Sequence, residues 1–219
     1  MGRRADEVLA AVRRELAESA RENRMVALVE AGSAPLSALG ALAAEQHRII
    51  ASDWRAFLML AAQAGDQSAR EFFTMLGQGE AVAAARLVDF AAACGLTPKD
   101  LREHTPQPGC QAYPSYIAWL VMNGSPRDAL LAIVANFAEW GGYCAAISRG
   151  LRERYGFDET GTAFFDLFAT PAPDLDALAL RGVQEALDDG WDPDGAMGLA
   201  RLLQGYESMF WDTLADLAG

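Results

Sequence analysis

Histidine occurs only twice in this 219-residue chain, lysine once and cysteine three times. Each scarcity closes off a class of protein. With His47 and His104 alone, and neither placed three residues after a glutamate, the carboxylate-and-histidine ligand set of a di-iron bundle is not available. Asp100 and His104 are spaced i, i+4, yet a proline-rich stretch follows and no further ligands come with it. No metal and no cofactor are expected. Lys99 stands alone, the arginines are scattered, and 18 basic against 30 acidic residues leave a formal charge of -12. Such a surface repels a phosphate backbone, so nucleic acid is not an expected partner. Cys94, Cys110 and Cys144 are odd in number and lack paired spacing, which fits a reduced, cytoplasmic protein with buried, inert thiols. No phosphate-cradling glycine loop is present, and the N-terminal "MGRRADEVLAAVRRELAESARE" has no uninterrupted apolar segment of the kind a signal peptide needs.

Alternating, β-branched stretches bounded by hairpin turns are also missing, while almost every apolar run keeps helical period. An all-α bundle of about seven to nine helices is expected, forming a single domain over residues 1–219. The first helix is read from Ala5 to Glu30, ending at "AGSAP"; Ser37 then caps a second that fades near "AGDQS". Two shorter helices, Ser68 to Leu76 and Glu80 to Cys94, are separated by "GQG". Thr97, Pro98 and Asp100 mark a helix start. "EHTPQPGCQAYP" reads as a loop leading into the short aromatic helix "YPSYIAWLVMNG". "GSPRD" opens a long helix running to Arg154, "DETGTAFFDLFATPAP" a short one, and two more follow, the last from Asp192. The run 129–147 is long enough to resemble a membrane span, but Asn136, Glu139 and the double glycine argue for a buried core helix; no membrane partner is expected.

Several polar residues fall on otherwise apolar faces. Asn136, Glu139, Trp140 and Tyr143 stand at i, i+3, i+4 and i+7, on one face of the long helix. Glu207 lies between Tyr206 and the Phe210–Trp211 pair in the last helix. Gln46, Ile49 and Asp53 share a face of the second, with Glu45 and His47 beside it. A carboxylate buried without partners is costly, and it is either hydrogen-bonded or raised in pKa until it can serve as a general acid or base. The plainer reading is that Glu139 and Glu207 face solvent or bond a neighbouring Tyr or Trp and only pin the core.

The "AYPSYIAWLVMNGSPRDALLAIVANFAEWGGY" block and "LLQGYESMFW" resemble the TenA (thiaminase II) family, which has the all-helical heme-oxygenase-like fold and hydrolyses aminopyrimidines in thiamin salvage, commonly as tetramers. The resemblance implies that Glu207 takes the place of the catalytic C-terminal glutamate and Tyr113 that of a pocket tyrosine. Other positions depart. The family's nucleophilic cysteine falls on Asn136 and a tyrosine four residues later on Trp140, while its substrate-binding aspartate falls on Gln46, that residue's companion tyrosine on Ile49 and a further pocket tyrosine on Phe168. An amide is no nucleophile, and Gln46 is not the anionic partner that a protonated aminopyrimidine wants. A cysteine-free branch of the family is thought to work with carboxylates.

The expectation is therefore a TenA-like protein that binds, and as an enzyme would hydrolyse at a C–N bond, a small nitrogen heteroaromatic by metal-free chemistry. Glu207 and Glu139 are the candidate catalytic groups. Gln46, Tyr113, Tyr116, Asn136, Trp140, Tyr143, Phe168, Tyr206 and Trp211 are the candidate ligand-binding residues. A homo-oligomer, dimer or tetramer, is expected. A non-catalytic ligand-binding or regulatory protein is the second reading, and a non-heme iron oxygenase the third.

Overall fold

A computed structural model describes residues 2–219 and contains ten helices and no strand among them: α1 (Ala5–Ser19), α2 (Arg24–Glu30), α3 (Leu36–Gln63), α4 (Gln67–Ala93), α5 (Pro98–Glu103), α6 (Pro108–Asn123), α7 (Pro126–Tyr155), α8 (Glu159–Ala169), α9 (Pro173–Asp188) and α10 (Asp194–Asp216). Proline opens four of these, at Pro98, Pro108, Pro126 and Pro173, where its missing N–H removes no helical bond. Thr97 and Asp100 form a reciprocal capping box, Ser125 caps α7, and Gly156 ends α7 with a left-handed φ of 71°.

Three boundaries differ from those expected. The helix read from Ala5 to Glu30 is two helices, because Asn23 turns its side chain onto the Val26 N–H and starts α2 afresh. The chain runs unbroken through "GQG", where a Cβ on Gly77 would come within 3.0 Å of Leu58 Cδ2; this glycine lets α4 lie close against α3. The stretch read as a loop before Tyr113 is already helical from Pro108, and it accommodates Pro114 inside α6. The split adds one helix and the merger through Gly77 removes one, so these differences leave the number of helices unchanged.

Two apolar cores form, one at each end of the bundle. One gathers Ala56–Ala61 of α3, Ala69–Phe73 of α4, Ala129–Ala135 of α7 and Ala196–Leu203 of α10, closed by α1, α6 and α9. The other gathers Ala38–Ile50 of α3, Ala83–Ala91 of α4, Cys144–Leu151 of α7 and Phe210–Ala215 of α10, with α2 and α8. Each of the four long helices therefore changes core at its middle. Asp53, Glu80, Asn136 with Glu139, and Glu207 lie in these transitions. α7 is long and apolar enough to cross a membrane by composition, and half of its most apolar window is buried inside the bundle.

The other carboxylate of α3 is structural. Glu45 is fully buried and binds His104 Nε2 at 2.8 Å, accepts the Gln107 N–H at 2.7 Å and accepts Gln111 Nε2 at 2.6 Å, tying the α5–α6 connection to α3. Glu45→Ala leaves these donors facing a void. Chemical denaturation should show a loss on the order of 3 kcal/mol; a loss under about 1 kcal/mol would deny Glu45 this role.

Candidate functional site

Between the two cores lies a cavity of about 860 Å³, a size that suits a drug-sized ligand. The middle of each long helix contributes to its wall: Gln46, Ile49, Ile50 and Asp53 from α3, Glu80 from α4, Asn136, Phe137 and Trp140 from α7, Glu207 and Phe210 from α10. Tyr113 of α6 and Phe168 of α8 complete it, and the α8–α9 connection at 170–172 runs along its edge. The wall is mainly apolar and aromatic. Trp140 and Phe168 meet edge to face with ring centres 5.6 Å apart, and Trp211 packs behind Trp140 at 5.6 Å.

Six of the expected residues therefore line one cavity: Gln46, Tyr113, Asn136, Trp140, Phe168 and Glu207. Five do not. Trp211 and Tyr143 stand one layer behind, their rings packed edge to face at 5.6 Å. Tyr116 and Tyr206 pair with each other at 4.9 Å, with Tyr116 also stacked on the exposed Trp119, away from the cavity lining. Glu139 is also outside the lining. It accepts hydrogen bonds from Tyr143 Oη at 2.6 Å and Gln204 Nε2 at 3.2 Å, and Gln204 in turn donates to the Leu16 carbonyl. Helical spacing correctly puts Glu139 on the Asn136 face, but a neighbour one turn away claims its carboxylate first.

Glu207 is 8% exposed, and its one side-chain partner, the Trp211 indole N–H, is 3.5 Å away. Burial, reinforced by the charge of Glu139, raises its pKa from 4.5 to about 8. Glu139 thus acts on the cavity through Glu207. Asp53, 4% exposed, is likewise raised to about 8 by burial, offset in part by the Tyr113 hydroxyl lying against it. Glu80, also in the cavity wall, is pushed well up by burial and by Asp53. Tyr113 is held protonated by its burial and by the surrounding carboxyls of Asp53, Glu207 and Glu80.

Asn136 replaces the nucleophile that the resemblance implies. Its Nδ2 donates to the Ala132 carbonyl at 2.8 Å and, more weakly, to the Ala200 carbonyl at 3.4 Å; flipping the amide would set oxygen against oxygen, so the Oδ1 orientation is fixed. That Oδ1 is buried with no partner. No cysteine lines the cavity. Cys144 is fully buried, with its thiol raised well above the usual range by burial and by Glu207; burial raises Cys94 and Cys110 to about 12 each. Arg13 is the one basic side chain in the lining, and it is anchored to the Val134 carbonyl at 3.0 Å. Among the described residues no three His, Cys, Asp or Glu side chains stand together as a metal ion requires. Glu80 escapes the sequence reading, because treating "GQG" as a break takes it off the face it shares with the rest of α4.

An all-helical bundle whose long helices surround a mid-bundle cavity of carboxyls and aromatics is a heme-oxygenase-like architecture. A crystal structure described as a domain of unknown function with that fold, from Shewanella denitrificans, superimposes with a TM-score of 0.72 at 13% identity, covering 97% of this chain and 90% of that one. A TenA homologue from P. horikoshii gives 0.71 at 16% identity over 98% and 99%, and a TenA family transcription regulator from Silicibacter gives 0.66 at 16% over 95% and 96%. No curated protein matches the chain by sequence. The TENA/THI-4/PQQC family model matches residues 15–165, and the chain belongs to that family.

A carboxyl whose folded pKa lies above its unfolded one holds its proton more tightly in the fold. The stability that Glu207 contributes is complete below about pH 4.5 and is lost as pH rises through about 8, at about 1.4 kcal/mol per unit between the two values. Asp53 acts in the same sense from 3.8. Thermal denaturation of the wild type should shift downward between pH 5 and 9, and the Asp53→Asn, Glu207→Gln double variant should show a clearly shallower fall. Parallel curves would mean that these carboxyls are ionised in the fold throughout.

Proposed function

We propose that the protein binds a small nitrogen heteroaromatic carrying an amino group and hydrolyses it at a C–N bond without a metal. The observation that carries this reading is Glu207: a buried carboxyl on the wall of an aromatic cavity, able to give and take a proton near neutrality. The ring would lie between Trp140, Phe168 and Phe210, and the partnerless Asn136 Oδ1 would accept from an amino N–H. Water adds to the ring carbon, the C–N bond breaks, and the departing nitrogen takes the Glu207 proton. The carboxylate so formed takes up the proton that the water loses, which returns Glu207 to its starting state. In this scheme Glu139 is a positioning residue that sustains the raised pKa of Glu207. The protein would work in the cytoplasm, as a homo-oligomer.

A second reading, a ligand-responsive protein without turnover, draws support from the absence of any thiol in the cavity wall. Ammonia release from a panel of aminopyrimidines separates the two. Under the hydrolytic reading some member of the panel is turned over and Glu207→Gln lowers kcat about 100-fold or more, the scale of general acid–base catalysis. Binding without ammonia release at any pH, unaltered by Glu207→Gln, establishes the second reading instead.

Glu139→Gln tests the coupling between the two carboxyls. Activity that needs protonated Glu207 declines as pH passes through about 8. Removing the negative neighbour lowers that pKa, so the decline in kcat should begin at lower pH in the variant. An unmoved profile would confine Glu139 to holding α7 against α10.

A further inference from the structure

Asp53 and Glu45 lie two turns apart on α3, and both are buried. Glu45 has three hydrogen-bond donors and a structural task. Asp53 has neither: its Oδ1 is sealed from solvent without a partner, and the Tyr113 hydroxyl is the donor lying against the carboxyl. Glu80 reaches the same part of the cavity wall from α4. Among the described residues no Arg, Lys or His forms an ion pair with either one. Breaking two helices' apolar faces with unpaired carboxyls costs stability and ties nothing together. What the pair lacks is a cation with N–H donors.

We propose that Asp53 and Glu80 form a second subsite of the cavity that takes an aliphatic ammonium group on an apolar body. The inference rests on the cavity being a ligand site, as in the proposed function, and does not depend on hydrolysis there. Two carboxyls and the Tyr113 oxygen offer an ammonium the acceptors its three N–H groups need. Ile49, Ile50, Phe57 and Leu76 form apolar walls beside the pair, suited to the methylenes or ring that carry the charge. A bound ammonium shifts both carboxyls toward their ionised forms, whereas a bound anion would oppose that ionisation. A divalent cation would need more oxygen ligands than the pair supplies. The volume is ample for a ligand with one head at Glu207 and a second, more basic head at Asp53 and Glu80.

The test uses two probes of one shape, 1-naphthylmethylamine and 1-naphthalenemethanol, titrated at pH 7 into the full chain and followed by naphthyl fluorescence. The amine should bind at least tenfold more tightly than the alcohol. Asp53→Asn and Glu80→Gln should each reduce that preference to under threefold while alcohol binding and thermal stability are retained, and Glu207→Gln should leave the preference in place. The proposal is overturned if the wild type binds both probes equally or fails to bind the amine at millimolar concentration. It is also overturned if the preference survives both Asp53→Asn and Glu80→Gln, or vanishes with Glu207→Gln alone. Loss of the hydrolytic reading with the preference intact would leave the subsite standing, so the two ideas fail separately.

Discussion

The burial of carboxyl groups where each long helix passes from one apolar core to the other is the constraint on which the rest depends. Continuous apolar faces on α3, α4, α7 and α10 would let the two cores merge into one. Instead Asp53, Glu80, Asn136 and Glu207 interrupt them at one level of the bundle. Packed side chains do not fill that level, because polar groups gain little from apolar neighbours and lose their water. A cavity remains, and its carboxyls keep their protons because burial disfavours the charged form. The same physics that leaves the hollow also poises its walls for proton transfer.

Carboxyls of this chain divide by their partners more than by their depth. Glu45 accepts three hydrogen bonds and closes a loop onto α3, while Glu139 is held by Tyr143 and Gln204. Asp53 and Glu207 are buried like Glu45 and more deeply than Glu139, yet they have one weak or incomplete partner each. The satisfied carboxyls maintain the architecture around the hollow; the unsatisfied ones face into it. Asn136 follows the second pattern, since its amide nitrogen is anchored to backbone and its oxygen is left free.

Much of this is legible from local chemistry in the sequence. Caps and N-terminal prolines mark most helix starts, and the C-terminal "YESMFW" run places Glu207 among aromatic residues. Helical period puts Gln46 and Asp53 on one face, and Asn136 and Trp140 on another. What local pattern does not carry is pairing between helices. Gly77 looks like a break until α3 is seen against it, and with that break Glu80 loses its place in the period. Tyr116 and Tyr206 share helices with pocket residues, but they turn toward each other on a different side. Glu139 has the right face and the wrong company, because Tyr143 and Gln204 meet it before any ligand can. Whether a buried carboxyl has a partner is decided by tertiary packing, and that decision separates a pin from a functional group.

Carbon-13 titration of the Glu207 side-chain carboxyl in the free, full-length protein addresses the central claim most directly. The account predicts a midpoint near 8, with the carboxyl protonated at neutral pH. A midpoint at the ordinary glutamate value near 4.5 would contradict it, showing that water or an unseen partner reaches the group and that the cavity does not impose the enclosure from which its chemistry follows.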